Sequence, residues 1–229
     1  MPTEHLFANP ADAAADLARY IAARLCTAID DRGVATFAVS GGRSPRPVLD
    51  ALSAAPIDWA KVTVLLVDER WVDPASEDSN ERLVRETLLR GPAQAATFLP
   101  MKNDAADPYA GQRACEIAYA ALPWPLDIVM LGMGEDGHTA SLFPGAHELA
   151  QGLATEARTV ALTPPTAPHP RLSLSANAIL DCRAILLQIG GAEKRIVYKR
   201  ALAGGPLDEL PVRAALCQNR VPVDVWISD

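Results

Sequence analysis

No run of apolar residues in this 229-residue chain reaches the roughly 18 that a membrane-spanning helix requires, so no membrane partner is expected. Met1 to Asn9 lacks a basic stretch followed by an apolar segment, so no secretory signal is visible and the expected location is cytoplasmic. Positive charge is also short: 21 Lys and Arg against 28 Asp and Glu leave a formal net charge of −7. That balance argues against a nucleic-acid partner. It also means that a phosphorylated ligand would depend on a few local cations and backbone N–H groups, since there is no general positive field. There is no CxxC pair; Cys26, Cys115, Cys182 and Cys217 are widely spaced and read as reduced, mostly buried thiols. HExxH and Cys/His clusters are missing, and His5 and His169 fall in expected loops, so no metal site is predicted. G-x-S-x-G is absent too, which removes the usual serine nucleophile and leaves activated water.

What the chain does have is a large apolar fraction, 49%, enough for a sizeable core in a single domain over residues 1–229. Short, often β-branched runs at Val34–Val39, Val62–Val67, Leu126–Leu131, Thr159–Leu162, Ala184–Ile189 and Val223–Ile227 predict strands. Several are apolar without alternation, the pattern of strands buried on both faces. Between them, Ala11–Asp31, Pro45–Ala54, Asn80–Leu89, Pro108–Ala121, Ser173–Ile179 and Glu193–Ala203 carry apolar residues at helical spacing. The alternation predicts an α/β fold with a mainly parallel sheet covered by helices on both faces. Ligands of such sheets bind beyond the carboxyl ends of strands, so the chemistry is expected just after Val39, Val67, Leu131 and Ile189. Val72–Ser79 and Leu162–Pro170, the latter with four prolines in nine residues, read as loops, and the Pro-rich one as a border of the site.

Four motifs stand at those strand ends. Ser40-Gly41-Gly42-Arg43-Ser44-Pro45 combines a tight glycine turn with a predicted helix start, Ser44 as N-cap and Pro45 in the first turn. Unpaired N–H groups there would suit a phosphate, although the same turn would serve as a plain strand-to-helix connection. Asp68-Glu69-Arg70 could bind sugar hydroxyls or handle protons, or be a solvated ion pair. In Gly132-Met133-Gly134-Glu135-Asp136-Gly137-His138, the histidine at a glycine-rich strand end is suited to acid/base work, with Asp136 or a nearby carboxylate orienting its ring. Gly132, Gly134 and Gly137 also match G-x-G-x-x-G, but Pro144 and Gly145 interrupt any sustained helix, and the motif lies in mid-chain, so a dinucleotide site is rejected. Gly190-Gly191-Ala192-Glu193-Lys194 opens another helix, with Lys194 near its N-terminus, and Arg171 follows the Pro-rich segment.

In this order, Ser40 to Pro45, Asp68-Glu69-Arg70, Gly132 to Gly145, Pro170-Arg171-Leu172-Ser173 and Gly191 to Lys194 resemble the 6-phosphogluconolactonases, over a span from Val34 to Val225. The most specific piece is Asp136-Gly137-His138-Thr139-Ala140-Ser141-Leu142-Phe143-Pro144. The wider group includes glucosamine-6-phosphate deaminases and ribose-5-phosphate isomerases. The resemblance implies a Rossmann-like fold, no cofactor and a sugar-phosphate substrate; a monomer or weak homodimer is expected. It implies hydrolysis of 6-phospho-D-glucono-1,5-lactone to 6-phosphogluconate in the oxidative pentose phosphate pathway. His138 would activate the water, Asp68 and Arg70 would line the sugar site, and Gly41, Gly42, Ser44, Arg171 and Lys194 would lie near the phosphate. Arg43, at a variable family position, is assigned to the phosphate as well, and Ser44 replaces a common threonine with its hydroxyl kept. Backbone N–H groups around Gly134–Gly137, or Arg70, would stabilise the oxyanion.

Three rivals are weighed against this. A glucosamine-6-phosphate deaminase/isomerase would use the same phosphate pocket with an Asp68-type base, but typically carries Asn-Glu where this chain has Leu142-Phe143. A sugar-phosphate sensor needs a DNA-binding module, and only about 33 residues precede the first expected strand in an acidic chain. A dinucleotide oxidoreductase is disfavoured with the glycine motif.

Overall fold

The computed structural model describes residues 1–229. The chain runs β1 (Thr3–Phe7), α1 (Pro10–Arg32), β2 (Ala35–Val39), α2 (Arg46–Ser53), β3 (Val62–Leu66), β4 (Asp68–Arg70), α3 (Asn80–Thr87), β5 (Thr97–Leu99) and α4 (Pro108–Ala120). It continues through β6 (Ile128–Gly132), α5 (Leu149–Ala154), β7 (Thr159–Leu162), β8 (Arg171–Leu174), α6 (Ala176–Ile179), β9 (Ile185–Gly190), α7 (Ala192–Leu202), α8 (Arg213–Leu216) and β10 (Val223–Ser228).

Seven strands form one parallel sheet in the order β1-β10-β9-β6-β2-β3-β5. β2 is buried at every residue, as its unbroken apolar run predicts for a strand covered on both faces. α1 lies against β1, β2 and β10 and turns Leu17, Ile21 and Leu25 inward at helical spacing. Its ends are set locally: the Asn9 side chain accepts from Asp12 N–H, and Gly33 closes the helix at φ +80°, where a residue with a Cβ would be strained. One hydrophobic cluster of 63 buried residues joins these layers. No helix is long and apolar enough to cross a membrane.

After β2 the chain builds outward to β3 and β5, then returns to β6 on the other side of β2 and proceeds to β9 and β10. The crevice above β2 and β6 is therefore the point where strand order reverses, the place where open α/β sheets take their ligands.

Several expectations are corrected. Thr159–Leu162 is a strand, but it belongs to a second, antiparallel sheet, β4-β8-β7. The expected helix Ser173–Ile179 is half strand: Ser173 and Leu174 complete β8, and Ser175 caps the short α6 by accepting from Ala178 N–H. The residues before Val34 hold an edge strand as well as a helix, and His5 lies in that strand, not in a loop. Its ring stacks on Trp226 with centroids 4.3 Å apart and pairs with Asp224 at 3.0 Å. Cys115 and Cys182 are buried, and burial pushes both thiols up to about 12; Cys26 is half-buried and Cys217 exposed. None of the four is in a disulfide.

Candidate active site

Two glycine turns face the crevice. The first follows β2. Ser40 N–H donates to the Met130 carbonyl, which ties the turn to β6. A Cβ at position 41 would sit 1.8 Å from Asn80 Oδ1, so only glycine lets this backbone lie against Asn80. Gly42 has φ +94°. The amides of Gly41, Gly42, Arg43 and Ser44 donate to no backbone carbonyl. Ser44 does not cap the helix as expected. Pro45 occupies the N-cap, makes no side-chain capping bond, and α2 begins at Arg46 with Pro47 in its first turn. The exposed Ser44 and Arg43 instead line the cleft.

The second turn follows β6 and is closed upon itself. Gly134 N–H donates to the His138 carbonyl at 3.0 Å and Gly137 N–H to the Gly134 carbonyl at 3.1 Å. Asp136 Oδ1 accepts from His138 N–H at 3.1 Å and lies 2.6 Å from His138 Nδ1. An ionised carboxylate only accepts, so Nδ1 carries the proton and Nε2 is left as the basic nitrogen. Burial works against the charge on Asp136, but the hydrogen bond and charge of His138 outweigh it and hold that carboxyl below its ordinary value. A Cβ at Gly134 would come within 2.2 Å of His138 Nδ1 and 2.4 Å of Asp136 Oδ1. The absent side chain makes the pairing sterically possible. The imidazole also stacks on Phe143, centroids 4.0 Å apart. These internal bonds narrow one expectation: the N–H groups of Gly134 and Gly137 are engaged within the turn, while those of Glu135 and Asp136 donate to no backbone carbonyl.

Asp68 and Arg171 enter from neighbouring strands of the second sheet. Asp68 is only 5% exposed; Ser141 Oγ donates to its Oδ2 at 2.5 Å, Asn80 Nδ2 approaches its Oδ1 at 3.3 Å, and Arg171 Nη1 lies 3.7 Å away. Arg171 is buried with its guanidinium over the Phe143 ring, and it donates to the Pro168 carbonyl. Burial lowers its pKa against the opposing charge of Asp68, and Arg70 adds to the lowering. Arg70 donates to the Asp78 carbonyl at 2.5 Å, while its Nε is buried without a partner. Glu69, expected to share the polar chemistry, points elsewhere. It accepts from the N–H groups of Arg70, Asn80 and Glu81 and from Ser79 Oγ, holding the start of α3 in place. Burial raises its carboxyl despite those donors.

Together these elements enclose a cleft of about 250 Å³. Its wall contains His138, Asp68, Arg70, Gly41, Gly42, Arg43, Ser44, Arg171 and Lys194, with Asp136 behind the histidine. Arg43, Arg70, Arg171 and Lys194 face a single carboxylate there, a local reversal of the chain's −7 charge. An adjoining cleft of about 480 Å³ shares Gly42, Arg43, Arg70 and Asn80. The Pro-rich loop does not line the cleft; it meets the site through Pro168 and Arg171. Asn80, Ser141 and Gln188 were not anticipated. In the sequence Ser141 is one residue of the motif after His138, Asn80 marks only a helix start, and Gln188 falls inside an expected strand.

The arrangement offers a braced imidazole base facing an acceptor-poor, cation-rich pocket, suited to an uncharged electrophile carried on an anionic handle. A family model described as glucosamine-6-phosphate isomerases/6-phosphogluconolactonase matches residues 8–226. A 6-phosphogluconolactonase of Pseudomonas putida is 42% identical over 224 residues, covering 97% of this chain and 91% of the relative. One from Rhizobium meliloti is 40% identical, covering 97% of each. The crystal structure of a 6-phosphogluconolactonase from Shewanella baltica superposes with a TM-score of 0.98 at 43% identity, over 100% of this chain and 98% of the other.

Proposed function

The chain belongs to the glucosamine-6-phosphate isomerase/6-phosphogluconolactonase family, and from that membership we propose that it hydrolyses 6-phospho-D-glucono-1,5-lactone to 6-phosphogluconate, as in the oxidative pentose phosphate pathway, with His138 activating the water. The observation that carries this reading is the meeting of the Asp136-braced His138 with the unpaired Gly41–Ser44 amides, Arg171 and Lys194 in one cleft.

In this mechanism the phosphate is gripped by Lys194, Arg171, Arg43 and the amides of Gly41, Gly42 and Ser44. That grip holds the lactone carbonyl near the imidazole and removes much of the entropy loss from the reactive encounter. Nε2 of His138 takes a proton from water as the water oxygen bonds to C1, and the carbonyl becomes an oxyanion. Arg70, which lines the cleft, is a cation available to that charge, and the Glu135 and Asp136 amides of the histidine turn donate to no backbone carbonyl. Collapse of the intermediate breaks the bond from C1 to the ring oxygen, which receives the proton from His138. Asp136 stays ionised throughout and stabilises the imidazolium. Asp68 fixes Arg171 and Ser141 at the edge of the sugar site.

The test is turnover of freshly generated lactone by the purified protein, measured as acid release against spontaneous hydrolysis. Hydrolysis above that background is expected. Ammonia release from glucosamine 6-phosphate, without lactone hydrolysis, would overturn the reading in favour of a deaminase.

A further inference from the structure

β9 is apolar at Ile185, Leu186, Leu187 and Ile189, and Gln188 breaks that run two residues before the Gly190–Gly191 turn begins. Gln188 stands in register with Gly132 on β6 and Trp226 on β10. Residues in register on parallel strands project to the same face, and Gly132 offers no side chain there. A Cβ at Gly132 would meet nothing closer than Ser40 Oγ at 3.9 Å. Gln188 therefore borders the open space above Gly132 and lines the cleft with Ser40 and Lys194. Its Oε1 is buried and accepts no hydrogen bond from the protein. In this orientation of the amide the buried acceptor is held at a cost. Leucine or isoleucine would satisfy the strand at that position without it. A buried polar atom left unpaired beside a binding cleft calls for a partner from outside the protein.

We infer that Gln188 is a further substrate-binding residue, whose amide carbonyl receives a hydroxyl of the sugar ring. The inference rests on the lactonase reading. The phosphate, largely a dianion near neutral pH, has little proton to give, and the lactone carbonyl and ring oxygen only accept. Among the groups of that substrate, the ring hydroxyls are the donors that fit Oε1. The cations and free amides of the cleft hold the phosphate, so Gln188 contributes selection among sugars and not retention of the anion.

The test compares wild-type protein with Gln188→Leu on 6-phosphogluconolactone and on analogues lacking each ring hydroxyl in turn. On the natural lactone, Q188L should lower kcat/KM by roughly 5- to 15-fold, the weight of one neutral hydrogen bond, with a melting temperature equal to or above that of wild type. On one deoxy analogue the wild type should fall to the level of Q188L, and the two proteins should become equal. Equal losses for both proteins on every analogue, or an unaltered Q188L, would refute the role. If Q188L does not fold, Gln188→Met serves in its place, and a wild type indifferent to every deoxy analogue overturns the inference without any variant. Failure of the lactonase reading is seen separately, as wild-type turnover of the natural lactone no faster than background.

Discussion

The two glycine turns that face each other across the crevice are held in opposite ways. The His138 turn closes its own hydrogen bonds, packs Asp136 against the ring through the gap left at Gly134, and lays the imidazole on Phe143. The Ser40–Pro45 turn is anchored at Ser40 and at Gly41, and otherwise leaves four consecutive amides without a backbone partner. A base must be oriented before its substrate arrives, because any reorganisation at the moment of reaction adds to the barrier. An anion cradle has the reverse requirement: donors already satisfied within the protein would have nothing to offer the ligand. In the proposed mechanism the His138 turn fixes its base by internal bonds, and the Ser40–Pro45 turn leaves its amides for the ligand.

Variants at the two turns should therefore fail differently. The largest effect is expected from His138→Ala, which should lower kcat by about 10²–10⁴-fold while KM and the melting temperature stay near wild type. Steady-state kinetics on fresh lactone would show this; a rise in KM with kcat preserved would erase the contrast between the turns. Lys194→Ala should do the converse. Loss of one charge-assisted contact to phosphate should raise KM by roughly 10- to 100-fold with little change in kcat. Inorganic phosphate should compete less well against the variant, and undiminished competition would remove Lys194 from the cradle. The smallest effect concerns Asp136→Asn. The folded carboxyl lies below its ordinary value, so its pairing stabilises the protein fully above the unfolded-state value. That contribution is lost as pH falls through the lowered folded value. Both side chains are partly exposed, 30% for His138 and 41% for Asp136, and solvent screening keeps the contribution under about 0.5 kcal/mol. Melting curves of D136N and wild type should thus differ slightly at neutral pH and converge in acid; a gap that widens in acid would contradict the pairing.

The sequence was most legible where burial acts on both faces of a strand. β2, β3, β6, β9 and β10 appear as apolar runs because most of their residues are buried in the core. β1 was invisible because an edge strand with exposed Thr3, Glu4 and Leu6 carries no such run. β4 and β8 were missed since Asp68, Arg70 and Arg171 are charged residues whose place in a sheet is decided by pairing with each other, not by local hydropathy. Ser173 was drawn into a helix for the same reason. Glycine clusters at strand ends marked both turns of the cleft, and those clusters reflect local backbone geometry. Asn80, Ser141 and Gln188 depend on contacts between residues far apart in the chain, and no local pattern distinguishes them from any other polar residue.

Phe143 has a part that reaches beyond packing. The ring of His138 and the guanidinium of Arg171 both rest on it, at 4.0 and 5.2 Å. One aromatic plate thereby fixes the spacing of the imidazole and the guanidinium, like the fixed jaw of a caliper. If the proposed roles of the two groups hold, a phosphorylated lactone one carbon shorter or longer would meet this fixed spacing with its carbonyl displaced from the imidazole.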